Sequence, residues 1–313
     1  NAQGTPWTYN NVNLDGQLIN GRSYLVQFRA KDRAVPANQG PSLDGLSAGF
    51  TLGVDSVTFI TDKAPPVSTI TLPGNGAIVN ALPTLSGTAT DALAGVGSVA
   101  VSIQENPSGS GPYWNGSTFS AATEQFFTAS FAGGAWALAT PPLQSNFSYR
   151  VRARSRDNAL PAGNFEGSPA AVTFTFITDK PGLALARPSQ GSFLNALPTV
   201  SGTASSAYQL AAASVAFQEA ATGRWWDGST FTSVTERFFP AALTGSGPSF
   251  TFTYSSTTLV FLDNRQYQVD AFVSDVAGNF SQLAPALTLF TFDTTPPGSV
   301  LNLPVNGAFL RSL

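Results

Sequence analysis

Four aspartates, Asp62, Asp179, Asp275 and Asp293, are of the residue type that binds a hard cation. Asp62, Asp179 and Asp293 each follow an apolar stretch and precede a proline-bearing segment. Asp275, like Asp32 and Asp157, closes a run opened by a tyrosine: Tyr24-Leu-Val26, Tyr149-Arg-Val151 and Tyr267-Gln-Val269. Calcium takes six to eight oxygens, drawn from several carboxylates and carbonyls. Each junction offers only one or two acids, so Asp62, Asp179, Asp275 and Asp293 are read as calcium candidates against a plainer role as turn-capping carboxylates. Calcium is the one cofactor considered.

Aromatic and basic side chains give two further candidates. Tyr113, Trp114, Trp225 and Trp226 have the faces needed to stack on sugars, but Trp114 and Trp226 occur in the same repeated context, which points to packing. Arg224 and Trp225 lack such a counterpart and are the better surface-binding candidates. Arg150, Arg152, Arg154 and Arg156 alternate, so they share one face of a strand. That ladder either docks an acidic partner or pairs with neighbours such as Glu105 and Glu124.

Much chemistry is excluded. With no cysteine and no histidine, there is no disulfide, thiolate nucleophile, zinc finger or Ser-His-Asp triad. A hydrolase would need a pair of acids, and none recurs in a cleft-like context. The expectation is a protein that is not an enzyme. The lysines, Lys31, Lys63 and Lys180, fall in loops or linkers, which excludes strand-borne isopeptide crosslinks. Asn115-Gly-Ser, Asn146-Phe-Ser and Asn279-Phe-Ser match the glycosylation triplet at the frequency chance gives. A net charge of −3 argues against nucleic acid, and no apolar run reaches the ~18 residues of a membrane span.

These residues are positioned by a repeat. Asn80-Ala-Leu-Pro-Thr-Leu-Ser-Gly-Thr-Ala89 returns as Asn195-Ala-Leu-Pro-Thr-Val-Ser-Gly-Thr-Ala204, 115 residues later. Trp114-Asn-Gly-Ser-Thr-Phe119 returns as Trp226-Asp-Gly-Ser-Thr-Phe231, and Phe59-Ile-Thr-Asp-Lys63 as Phe176-Ile-Thr-Asp-Lys180. A period of that size is one small domain. Apolar residues alternate with period two, as in Val99, Val101 and Ile103, and 29 glycines and 22 prolines punctuate short strands. Asn115-Gly116 suits a type I′ hairpin turn. No segment shows helical periodicity.

The fold expected is all-β, with tandem Ig-like β-sandwiches. Residues 1–63 read as the C-terminal part of one domain, with Trp7 and Tyr9 marking a strand. Residues 64–180 and 181–294 read as complete domains, and 295–313 as the first strand of a further one. The tyrosine opening each penultimate strand sits where sandwiches place a tyrosine corner. Asp275-Val-Ala-Gly-Asn279, followed by Phe290-Thr-Phe-Asp-Thr-Thr-Pro-Pro297, resembles the bacterial Ig-like repeats of large extracellular surface and adhesin proteins. Asp157-Asn-Ala lacks the Gly-Asn ending at the same spacing.

That resemblance implies an extracellular or cell-surface structural segment of a stalk, adhesin or filament. Its partners would be other copies or further domains of the same repetitive chain, or surface glycans. The alternative is a carbohydrate-binding accessory region of a secreted multidomain protein. With no methionine in the chain, residue 1 is expected not to be a translation start. Both ends are expected to lie against further polypeptide, either because the chain continues or because the tail adds a strand to another copy.

Overall fold

The computed structural model describes residues 8–31, 33–35, 37, 39–40, 52–53 and 56–312. Among the described residues strands are the dominant regular structure, and the one helix is the four residues Leu14–Gln17. Two compact units divide it: one ends at Phe174, and the other runs from Thr175 and takes in Ile78–Ala81 and Leu143–Phe147.

The strand order is that of an immunoglobulin-type sandwich. In residues 64–180 one sheet runs Ser130–Ala132, Ala135–Ala139, Thr84–Thr90, Val67–Leu72. The other runs Phe119–Ala121, Tyr113–Trp114, Val96–Glu105, Phe147–Asp157, Ala170–Phe176. These are the ABED and GFC sheets of that fold, the latter extended by a hairpin. Alternation supplies the core: Val99, Val101 and Ile103 on one strand and Tyr149, Val151 and Ala153 on its neighbour are all at most 1% exposed, and Leu85 and Trp136 close it from the opposite sheet.

The same order recurs in residues 181–294, except that the strand Phe239–Ser246 belongs to both sheets. Its first residues pair with Leu210–Glu219 and its last with Ser249–Tyr254. In the first copy the equivalent strand is broken into Phe127–Thr128 and Ser130–Ala132. Strands that switch sheets in this way make the corners of sandwiches. Ser192–Leu194 lies parallel to Thr288–Phe292 and completes the second sheet.

The repeated Ser-Gly-Thr owes its glycine to an aromatic ring. A Cβ on Gly87 would lie 1.9 Å from the Thr69 carbonyl oxygen and 2.6 Å from the Trp136 ring. On Gly202 it would lie 2.3 Å from Phe252 and 2.4 Å from the Ala184 carbonyl oxygen. The indole of Trp136 also donates to the Thr69 carbonyl at 3.0 Å.

Residues 8–63 supply the pair Ser23–Gln27 and Ser56–Ile60. Leu25, Val26, Phe28, Phe59 and Ile60 remain exposed. A two-stranded ribbon has no core of its own. Trp7 lies outside the described residues, and Tyr9 is exposed outside any strand.

The tail carries the turn of a first strand without the strand's pairing. No strand forms among residues 295–312, and Val300, Leu301, Leu303 and Phe309 are exposed. Its local turn is nevertheless that of the complete domains. Ala308 N–H bonds Val305 O as Ala77 bonds Gly74 and Ser192 bonds Ser189, each beside a left-handed glycine. Local sequence sets the turn, whereas a strand forms only against a paired neighbour.

The Asn115-Gly116 turn is corrected. Only Gly116 takes a positive φ. Asn115 instead uses its side-chain oxygen to accept the N–H groups of Ser117 and Thr118. Asp227 does the same for Ser229 and Thr230, and the Thr230 N–H first among these donors holds its carboxyl well below the usual range. An acceptor two residues before its donor is what both positions require, so Asn and Asp interchange.

Candidate functional site: the linker clamps

Each penultimate strand opens with the same construction. A residue of positive φ, Gly21, Asn146 or Asn264, stands three positions before the tyrosine. Tyr24 and Tyr267 accept the N–H of the fifth residue upstream, Ile19 at 2.8 Å and Leu262 at 2.9 Å, as a tyrosine corner does. Each tyrosine ring packs on a phenylalanine of the last strand: Tyr24 on Phe59, Tyr149 on Phe174 and Tyr267 on Phe290, at 5.5–5.8 Å.

The residue just before the positive φ holds the outgoing linker. Asn20 Oδ1 accepts the Lys63 N–H at 2.7 Å, Ser145 Oγ the Thr178 N–H at 2.9 Å and Asp263 Oδ1 the Thr294 N–H at 2.5 Å. Thr295 adds a hydroxyl to Asp263, and with the Thr294 donors it draws that carboxyl below its ordinary value. Sequence reading missed this clamp. Its signature is a polar residue followed by Gly or Asn, with Tyr three positions later: Asn20-Gly-Arg-Ser-Tyr24, Ser145-Asn-Phe-Ser-Tyr149 and Asp263-Asn-Arg-Gln-Tyr267.

A second clamp grips the linker from the following loop. Asn164 Nδ2 donates to the Asp62 carbonyl at 3.1 Å, and Asn279 Nδ2 to the Ile177 carbonyl at 3.0 Å. Both asparagines are held by the buried aspartate that opens their loop, Asp157 or Asp275, through the backbone N–H and the side-chain amide. The first loop therefore does carry a Gly-Asn ending. It is Gly163-Asn164, displaced by three extra residues, and Gly163 and Gly278 both take positive φ. Burial alone would raise the Asp157 carboxyl. The bonds from Asn164 and Ala159, with the Arg156 charge, outweigh it and hold Asp157 below the ordinary aspartate range.

These bonds re-register the calcium candidates. Gly21 N–H meets Thr61 O where Asn146 N–H meets Phe176 O. Asp62 is thus the counterpart of Ile177, and Asp179 lies two residues farther along. Asp179 accepts from the Asn146 side chain, and Asp293 caps Thr295. Among the described residues, Asp179, Asp275 and Asp293 join no cluster of three acids, whereas Asp62 does, with Asp157 and with Asp91, which sequence reading passed over. One oxygen from each carboxylate lies within 4.8 Å of the other two, out of six oxygens in all. Five of the six already accept N–H groups: from Ala64 and Ala94 on Asp62, Leu93 and Gly95 on Asp91, and Ala159 and Asn164 on Asp157. Backbone amides compensate the charge, which is the capping role. Asp32 lies outside the described residues.

The arginine ladder is spent internally. Arg150 bonds Gln104 and Tyr113, and Arg152 pairs with Glu124 at 2.6 Å. Arg154 lies over Phe126 at 4.2 Å, and Arg156 over Phe165 at 5.2 Å. Glu105 takes no arginine. Trp226 is buried against Phe239, and Trp114 packs on Phe119. Trp225, the next residue along its strand, points the other way and is half-buried, with Arg224 exposed beside it. Replacing Trp225 by alanine is expected to change stability by less than about 1 kcal/mol. Urea denaturation checks this, and a larger loss would make Trp225 a packing residue.

No known protein family matches the chain, and no curated protein does. Solved structures that match include the fibronectin(III)-like modules of CbhA from Clostridium thermocellum. That likeness is 14% identical with a TM-score of 0.32, and covers 72% of this chain and 94% of that one. No helix is long and apolar enough to cross a membrane among the described residues.

Proposed function

We propose that this chain is a non-catalytic structural segment of a long extracellular repeat protein, part of a stalk, adhesin or filament. The observation that carries the reading is the linker clamp, made three times with three different side chains, Asn20, Ser145 and Asp263, on Lys63, Thr178 and Thr294. A linker left free to swing has no need of side chains that fix its amides. The prolines at Pro65-Pro66, Pro181 and Pro296-Pro297 restrict the same stretches. Its partners are further domains or copies of the same repetitive chain.

Hydrogen exchange tests the clamp directly. The amides of Lys63, Thr178 and Thr294 are expected to exchange at least tenfold slower than free peptide. Exchange at the free-peptide rate would leave the linkers as tethers and remove the basis of the proposal. Electron microscopy of the native assembly should then show an extended particle, not isolated chains.

A second reading, a carbohydrate-binding accessory region, rests on the outward-facing Trp225 beside Arg224. Saturable binding on a glycan array, abolished by Trp225→Ala, would favour it. No binding by the unmodified chain leaves the structural reading alone.

A further inference from the structure

Glu124 and Glu236 occupy the same place in the two repeats, yet they meet opposite partners. Glu124 pairs with Arg152 and accepts from Ser102 Oγ. In the second copy Arg152 is replaced by Asp270 and Ser102 by Ala216, the residues paired across the same two strands. The cation and the hydroxyl are both gone, and a second carboxyl faces the first.

Asp270 is on the outer face of its strand, between Val269 and Ala271, which point into the core, yet it is 0% exposed. The segment bearing Glu236 and the turn after Gln282 cover it. Asp270 Oδ1 accepts the N–H groups of Ala271 and Ala284, and Oδ2 accepts from Gln282 Nε2 at 2.5 Å. The same Gln282 nitrogen donates to Glu236 Oε2 at 3.1 Å. Asp270 therefore has the donors a carboxylate needs. Glu236 has one, and its Oε1 is buried and accepts nothing.

Among the described residues no cation offsets the pair. On the strand of Asp270, Arg265 is committed to Glu219. On the strand opposite, Glu219 is the one charged residue. Beside Glu236, Arg237 lies over the Phe239 ring, and Lys180 lies over Phe280 on the strand of Gln282. Asp275, at the far end, is occupied by Asn279.

We infer that Glu236 and Asp270 share one proton, Glu236 donating it to the Asp270 carboxylate, and that this acid-dependent bond fastens the sheet-crossing segment 233–241 to the outer face of its sheet. Two ionised carboxyls packed together without a cation repel, so either the proton stays or the segment lifts. Burial, then the hydrogen bond and charge of Asp270, push Glu236 up to about 7. A carboxyl raised in the folded state binds its proton more tightly there than in the unfolded chain. Its contribution is complete below the ordinary glutamate value of about 4.5 and is lost as pH rises through about 7. Acid would thus tighten the second repeat, where Asp270 stands in the place of Arg152.

The test compares the intact chain with its Glu236→Gln variant, whose amide supplies the donor without a titrating proton. Amide exchange in peptide 233–246 is read at pH 5 and at pH 8, each pair at one pH. The expected result is equal protection at pH 5 and at least fivefold better protection of the variant at pH 8. Equal protection at both pH values would overturn the inference. If the variant does not fold, infrared spectra of the unmodified chain decide. A protonated carboxyl band that persists above pH 6 and disappears by pH 8 supports the shared proton, and its loss by pH 5 refutes it.

Discussion

Replacing Gly202 by alanine is expected to cost at least about 3 kcal/mol, at the upper end of what overpacking does to a core. The added methyl would lie 2.3 Å from the Phe252 ring and 2.4 Å from the Ala184 carbonyl oxygen. The ring cannot simply turn away, because Phe252 is 0% exposed and part of a cluster with Phe217, Tyr267 and Phe290. Nor can the strand retreat, since Gly202 is paired on both sides, to Leu185 and to Phe252. Gly87→Ala repeats the experiment in the other copy, against Trp136 and Thr69. Thr203→Ala, one residue along on the exposed face, is the control and should stay within about 0.5 kcal/mol. Chemical denaturation reads all three. An alanine at 202 as mild as the one at 203 would mean that the ring does not sit over the glycine.

Much of this fold is legible in the sequence because its signals are local or strictly periodic. Alternation places Val99, Val101 and Ile103 inward, and the tyrosine before each penultimate strand marks the corner made by Tyr24 and Tyr267. What stays hidden depends on register and on partners remote in sequence. Phe59-Ile-Thr-Asp and Phe176-Ile-Thr-Asp look equivalent, but the second is slipped by two residues. A slip of two keeps every side chain on its own face, so the hydrophobic pattern gives no sign of it. Asp91 escaped notice because its place in the next repeat is taken by Ser206. Gly163-Asn164 was hidden by a loop three residues longer. The carboxyl pair of Glu236 and Asp270 is invisible to patterning because Asp270 is buried on a face that alternation assigns to solvent.

Asp275→Ala is expected to cost about 3 kcal/mol, and Asp157→Ala a similar amount, by a mechanism unlike the glycine's. Asp275 accepts the N–H groups of Ala277 and Asn279 and the Asn279 side chain, at 2.8–3.0 Å, and is 2% exposed. Its removal leaves buried donors without an acceptor, which costs more than the bonds themselves contributed. It also frees Asn279, whose other hydrogen of the same amide group binds the Ile177 carbonyl. The linker amides near Ile177 should therefore exchange faster in Asp275→Ala, though the substituted residue does not touch them. For Asp157 the effect has a pH signature. Its carboxyl is lowered in the folded state, so its contribution is present above the ordinary aspartate value of 3.8 and is lost as pH falls through the folded value. The difference between Asp157→Asn and the unmodified chain should accordingly shrink below about pH 4. Asp275→Ala and Asp157→Ala are to be measured in chelator. If these aspartates acted by holding a cation, chelator would already have removed their contribution and the substitutions would then change nothing. The same cost of about 3 kcal/mol in chelator is the result expected of carboxylates that act on backbone amides.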